Sequence, residues 1–224
     1  MRLLRRKPRT FEIQVQDMVL HIQAGTDFNE ESRAAALSFW EQLHAYALRN
    51  PDIENSKRPI DVPADAPEIV REIVSAARRA GVGPMYSLQG AVTDHVGRFL
   101  AREVDEVTVN CGGDYFILGR RRQKLTVARR PGGSTVAVVV PPSKQGVGIS
   151  MTLGRGYASV DGLAVIADSC MLADAAAAGV QAILPKQGGF AGALAYLKQV
   201  RGVLGGVVVL GERIGVAGGV EIAA

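Results

Sequence analysis

Apolar and polar residues alternate along two short segments near the start of the chain, residues 11–15 and 19–23. A two-residue alternation is typical of strands with one buried face, and the polar residues around 16–18 predict a β-hairpin. Further on, apolar residues recur at a spacing of three to four. This spacing predicts three helices, over residues 29–48, 65–80 and 87–102, with residues 50–59 as a linker.

The pattern of apolar residues changes after residue 105, where short runs rich in β-branched residues are separated mostly by Gly or Pro. These runs predict strands over 106–110, 115–118, 124–128, 135–140, 163–167, 206–210, 213–216 and 220–222. Two helices are predicted between them, over 169–184 and 190–200. Strands and helices that mix without regular alternation favour an α+β fold.

The composition narrows the class of protein. The chain has 224 residues, of which 47% are hydrophobic and 21% charged, with a formal net charge of +4. The basic excess lies in residues 1–9 and in residues 120–124, which we interpret as a solvated arm and a hairpin tip because no aromatic residues are interleaved. No nucleic-acid partner is therefore expected.

The lengths of the apolar runs and the number of cysteines indicate the cellular compartment. No run approaches the roughly 20 residues that a membrane span needs, and the basic start is not followed by an apolar stretch of signal-peptide length. Two cysteines are too few for a disulfide framework and fit a reducing compartment. We therefore expect a cytoplasmic protein with no membrane partner.

The first candidate for chemistry is the segment 110–114, Asn-Cys-Gly-Gly-Asp. Paired glycines let a ligand lie directly on the backbone, and the carboxylate of Asp114 can orient a ligand or a cation. A tight turn between two strands explains the same residues. Cys111 qualifies as a nucleophile only if its pKa is lowered, and it is otherwise a packing residue.

Two helices supply further candidates. Asp174 lies in the first turns of a predicted helix, either as a ligand-directed carboxylate or as an ordinary acidic residue favoured by the helix dipole. Gly90 within a helix indicates close contact with a backbone or a ligand. Asp94 and His95 project about 100° apart, so at most one of them is expected to face a pocket. The three histidines show no zinc-type spacing, so a bound metal would be a hard cation on oxygen ligands.

The order and spacing of several segments resemble those of ApbE-like proteins, cytoplasmic relatives of the FAD-dependent flavin transferases. The matching segments are residues 80–85 with 90–94, then 107–114, then 161–167 with 172–177, and finally 201–215. The resemblance covers the chain from about residue 11. It implies a T-fold-like antiparallel β-sheet backed by helices, forming one domain over 11–224 behind a basic arm over 1–10.

The resemblance also implies a site. It implies FAD or FMN as the cofactor, with Mg2+ neutralising the phosphates, and homo-oligomeric assembly. Asp174 matches the metal aspartate of the flavin transferases. The expected ligand-binding residues are Gly90, Asp94, Asn110, Gly112, Gly113 and Asp161.

The sequence departs from the flavin-transferase pattern at two positions, because Gln89 stands where the pattern has Lys and Ala178 stands where it has Thr. It also departs from the closer relatives, which usually have a Ser/Thr-rich loop and a His where residues 145–155 have no His, and Asn where Cys111 stands. Our leading hypothesis is a small-molecule enzyme that binds a flavin nucleotide or a similar heteroaromatic ligand, with Cys111, His95 and Asp114 as candidate catalytic groups. The alternatives are an FAD:protein FMN transferase with a reduced ligand set and a non-catalytic flavin-binding protein.

Overall fold

The largest element of the fold is an antiparallel sheet of eight strands. A computed structural model describes residues 8–129, 135–153 and 160–223. The strands run in the order β1-β2-β3-β4-β7-β8-β9-β10. Their bounds are β1 Arg9–Val15, β2 Met18–Ala24, β3 Val107–Cys111, β4 Asp114–Gly119, β7 Ser143–Leu153, β8 Gly162–Ala167, β9 Val203–Leu210 and β10 Arg213–Gly218.

Six α-helices are present in the described part of the chain, and most of them cover one face of this sheet. They are α1 Asn29–Ala47, α2 Asp52–Asn55, α3 Glu68–Ala80, α4 Leu88–Leu100, α5 Cys170–Ile183 and α6 Gly189–Gln199, with a 3-10 turn at Pro84–Ser87. Helix α4 packs over β3 and β4, α5 over β7 and β8, and α6 over β9 and β10. The main apolar core lies between these helices and the sheet.

A second, three-stranded sheet covers part of the opposite face. It has the order β11-β6-β5, formed by β5 Gln123–Arg129, β6 Thr135–Val140 and β11 Glu221–Ala223. Valine and isoleucine side chains from both sheets form a separate apolar cluster between them. Because β8 is covered on both faces, it is buried at every position. A strand of this kind reads as a continuous apolar run.

The α+β class, with an antiparallel sheet backed by helices, is confirmed, and the T-fold likeness stays a prediction. The basic segment 120–124 is not a hairpin tip, because it leads from β4 of the large sheet into β5 of the small one. There the Arg120 guanidinium contacts Asp105 at 3.1 Å, and Arg122 pairs with Glu221. Of the expected arm 1–10, residues 1–7 lie outside the described part, and Arg9 and Thr10 belong to β1. The expected linker contains α2.

Strand β7 is the longest strand of the fold, and it is not among the strands that we predict from the sequence. Its residues nevertheless show a strand pattern, because Val147, Ile149 and Met151 alternate with Gly148 and Ser150. This alternation is typical of a strand with one apolar face. In the structure, β7 pairs with both β4 and β8 and so lies in the middle of the large sheet.

Candidate functional site

A cavity of about 330 Å³ opens where four segments of the fold meet. The segments are the 3-10 turn with the start of α4, the β3–β4 turn, the second half of β7, and α5. The lining residues are Met85, Tyr86, Leu88, Gln89, Gly112, Asp114, Ser150, Met151, Thr152, Asp174, Ala177, Ala178 and Gln181. Three of the residues predicted for the site, Gly112, Asp114 and Asp174, therefore share one cavity.

The Gly112-Gly113 pair forms the two-residue turn between β3 and β4. Cys111 pairs with Asp114 across it, and both glycines have positive φ, 60° and 107°. A Cβ on Gly113 would come within 2.5 Å of the Met151 carbonyl oxygen, so β7 can lie against the turn only because no side chain is present. The Asn110 side-chain oxygen accepts a hydrogen bond of 3.2 Å from the Gly113 N–H. The segment is therefore a tight turn, and its Gly112 also lines the cavity.

Asp114 and Asp174 bring two carboxylates to this cavity from different elements. Asp114 is 4% exposed. Burial raises the pKa of Asp114 to about 7, and the charge of Asp94 adds to the rise, while a hydrogen bond with Ser150 opposes it. Burial also raises the pKa of Asp174 well above its ordinary value, and the negative charge of Asp114 raises it further. The cavity therefore holds a pair of acidic residues whose pKa values are both raised.

Gly90 positions Asp174 through its backbone. The Gly90 N–H donates a hydrogen bond of 3.0 Å to Asp174 Oδ2. A Cβ on Gly90 would lie 2.5 Å from the Cys170 carbonyl oxygen and 2.8 Å from the Asp174 Cβ. Gly90 thus makes the close backbone contact that its helical position indicates, between α4 and α5, and it is not among the residues that line the cavity.

Asp94, also predicted to bind the ligand, is not among the residues that line the cavity, although its charge raises the pKa of Asp114. Its Oδ2 accepts a hydrogen bond of 2.9 Å from the Met171 N–H at the first turn of α5. Asp94 is 2% exposed, and burial raises its pKa to about 6. It lines a separate cavity of about 510 Å³. Asp94 therefore acts as a cap that joins α4 to α5.

Two of the three candidate catalytic residues, Cys111 and His95, lie in packed surroundings. Cys111 is 1% exposed and belongs to the main apolar core, and burial raises the pKa of its thiol to about 12. A nucleophilic cysteine requires the opposite shift. The His95 ring packs on Phe39 of α1 with the ring centroids 5.2 Å apart, and burial lowers the pKa of His95. Neither residue lines the cavity.

Asp161 is not among the residues that line the cavity. Its Oδ2 accepts a hydrogen bond of 2.6 Å from the Gly211 N–H, in the turn between β9 and β10. The residue stands directly before β8, whose first residue pairs with Leu153 of β7, so it lies at the same end of the large sheet as the β3–β4 turn. Its ligand-binding role stays a prediction.

Several lining residues were not predicted. Ser150 and Thr152 come from β7, and Gln181 comes from the last turn of α5. The alternation in β7 could have placed the first two on one strand face. The spacing of Asp174 and Gln181 could have placed both on one helix face, because residues seven apart return to nearly the same side. Gln89 and Ala178, the departures from the flavin-transferase pattern, both line the cavity.

A larger cavity, about 840 Å³, lies elsewhere and contains none of the predicted site residues. Its lining includes Arg102, Arg120 and Arg121 together with Glu103, Asp105 and Glu106, so opposite charges balance there. We prefer the smaller cavity as the candidate site because it brings together two carboxylates of raised pKa from different elements.

Two negative findings concern metal clusters and membrane-spanning helices. Within the described ranges, no three His, Cys, Asp or Glu side chains group closely enough to hold a metal ion by themselves. Among the described helices, none combines the length and the apolar character needed to cross a membrane.

The fold and its cavity define a protein of the ApbE flavin-transferase fold class. The structure superposes on the flavin transferase ApbE from Vibrio cholerae with a TM-score of 0.63 at 12% identity, covering 94% of this chain and 97% of that one. It superposes on the apo flavinyl transferase ApbE of Pseudomonas stutzeri with a TM-score of 0.63 at 13% identity, covering 97% and 96% of the two chains. At these identities the likeness establishes the fold alone.

The chain belongs to the family described as "AbpE bacteria", whose model matches residues 1–184. A UPF0280 protein of Methanocella arvoryzae is 27% identical over 178 residues, which cover 75% of this chain and 72% of the relative. A UPF0280 protein of Methanocaldococcus jannaschii is 31% identical over 150 residues, which cover 62% of this chain and 60% of the relative. The chain thus spans between three fifths and three quarters of the lengths of these relatives.

Proposed function

We propose that this protein is a small-molecule enzyme that binds a flavin nucleotide, FAD or FMN, or a similar flat heteroaromatic ligand, in the cavity beside Gly112. One observation carries the proposal: Asp114 and Asp174, from a strand and a helix, open onto the same cavity, whose walls combine polar and apolar side chains. The fold shared with flavin transferases supports the choice of ligand class.

The carboxylate pair fits a Mg2+ ion. Mg2+ prefers oxygen ligands and is commonly held by one or two carboxylates, with phosphate oxygens and water completing the octahedron. Asp174 uses one oxygen for the Gly90 N–H and keeps the other available, while Ser150 orients Asp114. When bound, the cation neutralises phosphate charge. A two-carboxylate site of this kind needs the ligand to complete it, which agrees with the absence of a three-residue metal cluster in the described ranges.

Of the three candidate catalytic groups, we propose Asp114 as the reactive one. With no cation on its oxygens its pKa is about 7, so its carboxyl group can take or give a proton at neutral pH, which is the property that a general acid or base needs. Coordination by Mg2+ lowers this pKa, so the acid–base role requires that the ion be held through Asp174. Asp114 reaches the cavity, whereas Cys111 and His95 do not line it. Asp174 then holds the cation or orients the ligand.

Two substitutions favour a redirected chemistry over a protein FMN transferase. Gln89 removes a positive charge suited to phosphate, and Ala178 removes a hydroxyl one turn after Asp174, and both positions line the cavity. The transferase with a reduced ligand set remains the first alternative, because the metal aspartate is retained. A flavin-binding protein without catalysis is the second, because the same two losses fit it.

Incubation with FAD and Mg2+, followed by mass spectrometry of ligand and protein, separates these functions. Release of AMP together with a flavinylated acceptor supports the transferase. Flavin binding without AMP release supports the small-molecule enzyme or the carrier. Loss of turnover of the eventual substrate in Asp114→Asn, with flavin binding retained, distinguishes the enzyme from the carrier. Absence of any flavin affinity would overturn the transferase and the flavin-binding protein, and would restrict the small-molecule enzyme to a different heteroaromatic ligand.

Matched variants link the binding to the cavity. Asp174→Asn is expected to weaken Mg2+-dependent FAD binding at least tenfold, whereas Asp65→Asn, at an exposed position between α2 and α3, should leave it unchanged. The cytoplasmic location and the homo-oligomer stay predictions. Size-exclusion chromatography with light scattering tests the oligomer.

A further inference from the structure

One face of α5 lines the cavity with a row of four side chains, which begins with a carboxylate and ends with an amide; we call this row the stripe. Its members are Asp174, Ala177, Ala178 and Gln181. They are spaced by three, four and seven residues and so fall on one side of the helix. At 1.5 Å per residue, Asp174 and Gln181 stand about 10 Å apart along the axis. A carboxylate thus marks one end of the stripe and an amide the other, with two methyl groups between them.

The amide of Gln181 is in hydrogen-bond contact with a neighbouring element. Its Nε2 donates a hydrogen bond of 3.3 Å to the hydroxyl of Thr152, a residue of β7 that also lines the cavity. Both residues are partly buried. Because Nε2 carries two hydrogens, this contact leaves one N–H and the side-chain carbonyl oxygen available. Gln181 therefore offers one donor and one acceptor, side by side.

A donor beside an acceptor matches the edge of a planar heterocycle that carries a ring N–H next to a ring carbonyl. The amide oxygen accepts from the ring N–H, and the amide N–H donates to the ring carbonyl. The same bidentate pairing lets Gln or Asn bind the edge of adenine. The methyl groups of Ala177 and Ala178 leave room for a flat ring between the amide and the carboxylate.

We propose that Gln181 is a specificity-determining residue that binds the imide-type edge of a planar heterocycle, and that Thr152 positions its amide. The ligand then lies along α5 with its ring edge at Gln181 and its cation-bound or charged end at Asp174. This inference rests on the proposed function for the identity of the ring as a flavin, and on the cavity alone for the class of edge.

Riboflavin and N3-methylriboflavin, which lacks the ring N–H, test the proposal by quenching of flavin fluorescence. The wild-type protein is expected to bind riboflavin at least tenfold more tightly than the methylated form. Gln181→Leu, which keeps the approximate side-chain volume, should weaken riboflavin binding about tenfold and abolish the preference. Thr152→Val should reduce the preference. Gln187→Leu, at an exposed position after α5, is the matched control and should behave as the wild type.

Failure of this inference and failure of the flavin proposal give different results. If both flavins bind wild-type protein equally, or if Gln181→Leu keeps the preference, the role of Gln181 is overturned and the flavin proposal stands. If neither flavin binds, 1-methyluracil and 1,3-dimethyluracil, which lacks any ring N–H, are compared by saturation-transfer NMR. Binding of 1-methyluracil alone, lost in Gln181→Leu, supports the edge-binding role without a flavin. Absence of 1-methyluracil binding, or equal binding by wild type and variant, overturns it.

Discussion

The backbone of Gly90 and the side chain of Asp174 are joined by a hydrogen bond of 3.0 Å across the contact between α4 and α5. Two requirements meet at this contact, because the carboxylate needs a donor and the helices need close approach. Only a glycine satisfies both, since a Cβ at position 90 would lie 2.5 Å from the Cys170 carbonyl oxygen.

Gly90→Ala is therefore expected to destabilise the protein by about 1–2 kcal/mol. Overpacking of a buried contact costs about 1–3 kcal/mol, and the better helix propensity of Ala returns up to about 1 kcal/mol. Urea unfolding measures the change. Gly25→Ala is the control, since a Cβ there meets nothing within 4 Å. Equal stability of Gly90→Ala and wild type would contradict the close contact.

Asp114→Asn is expected to stabilise the cation-free protein increasingly as the pH rises from 4 to 8. The folded-state pKa of Asp114 is about 7, above the ordinary value of 3.8, so the wild type loses stability as the pH rises through 7. The uncharged amide escapes this loss, and the gain should reach on the order of 2–4 kcal/mol, at about 1.4 kcal/mol per pKa unit.

Urea unfolding of both proteins in EDTA across this pH range measures the gain. Asp65→Asn, which removes one carboxylate at an exposed position, is the matched control. A gain for Asp114→Asn that does not vary with pH would show that the carboxyl group of Asp114 titrates normally.

Mg2+ is expected to raise the melting temperature of the wild type, and more strongly at pH 8 than at pH 6. The cation competes with protons for Asp114 and Asp174, whose pKa values are both raised. At a hundredfold excess over Kd, binding to the folded state alone adds about 2.7 kcal/mol. Thermal unfolding with increasing Mg2+ measures the shift.

Asp174→Asn should lose most of this Mg2+ response. Asp168→Asn provides the control, since Asp168 precedes the same helix but lines the other cavity and pairs with Arg79 at 2.8 Å. A shift of the same size in Asp174→Asn as in the wild type would place the cation elsewhere.

Both cysteines should resist thiol reagents in the folded protein. Cys111 and Cys170 are buried, and burial raises the pKa of each thiol. We expect no reaction with a disulfide reagent at pH 8 in buffer and reaction of two thiols in denaturant. Cys111→Ser should leave flavin binding unchanged and destabilise the fold by about 1–3 kcal/mol, since it buries a hydroxyl in an apolar core. Rapid labelling of the folded protein would restore the case for a reactive thiol.

Local signals were sufficient for part of the site. Two adjacent glycines between β-branched runs predict the β3–β4 turn, and an acidic residue early in an alanine-rich helix predicts Asp174. The burial of Cys111 also has a local signal, because it shares its strand face with Val107 and Val109, which both point into the core. This alternation favours a packing role for the Cys111 thiol over a nucleophilic one.

The remaining residues depend on tertiary contacts that no local pattern contains. Asp94 lies on a helix face that meets the first turn of α5, 77 residues later in the chain, so its hydrogen bond to the Met171 N–H could not be read from its neighbours. The second sheet could not be predicted from local patterns either. Each of its strands is predicted individually, but nothing in their sequences indicates that β5 and β6 form a separate sheet. Because they do, β4 pairs with β7 in the large sheet.

This departure from the large sheet has a consequence for the order of folding. Strand β7 reaches β4 only after the chain has made the excursion through β5 and β6, and α5 reaches the cavity only after β8. The cavity therefore depends on contacts of long sequence separation, which form late because loop closure precedes them. In a refolding experiment, ligand-binding competence is expected to return at the rate of the slowest folding phase, with no early fragment of the chain able to bind.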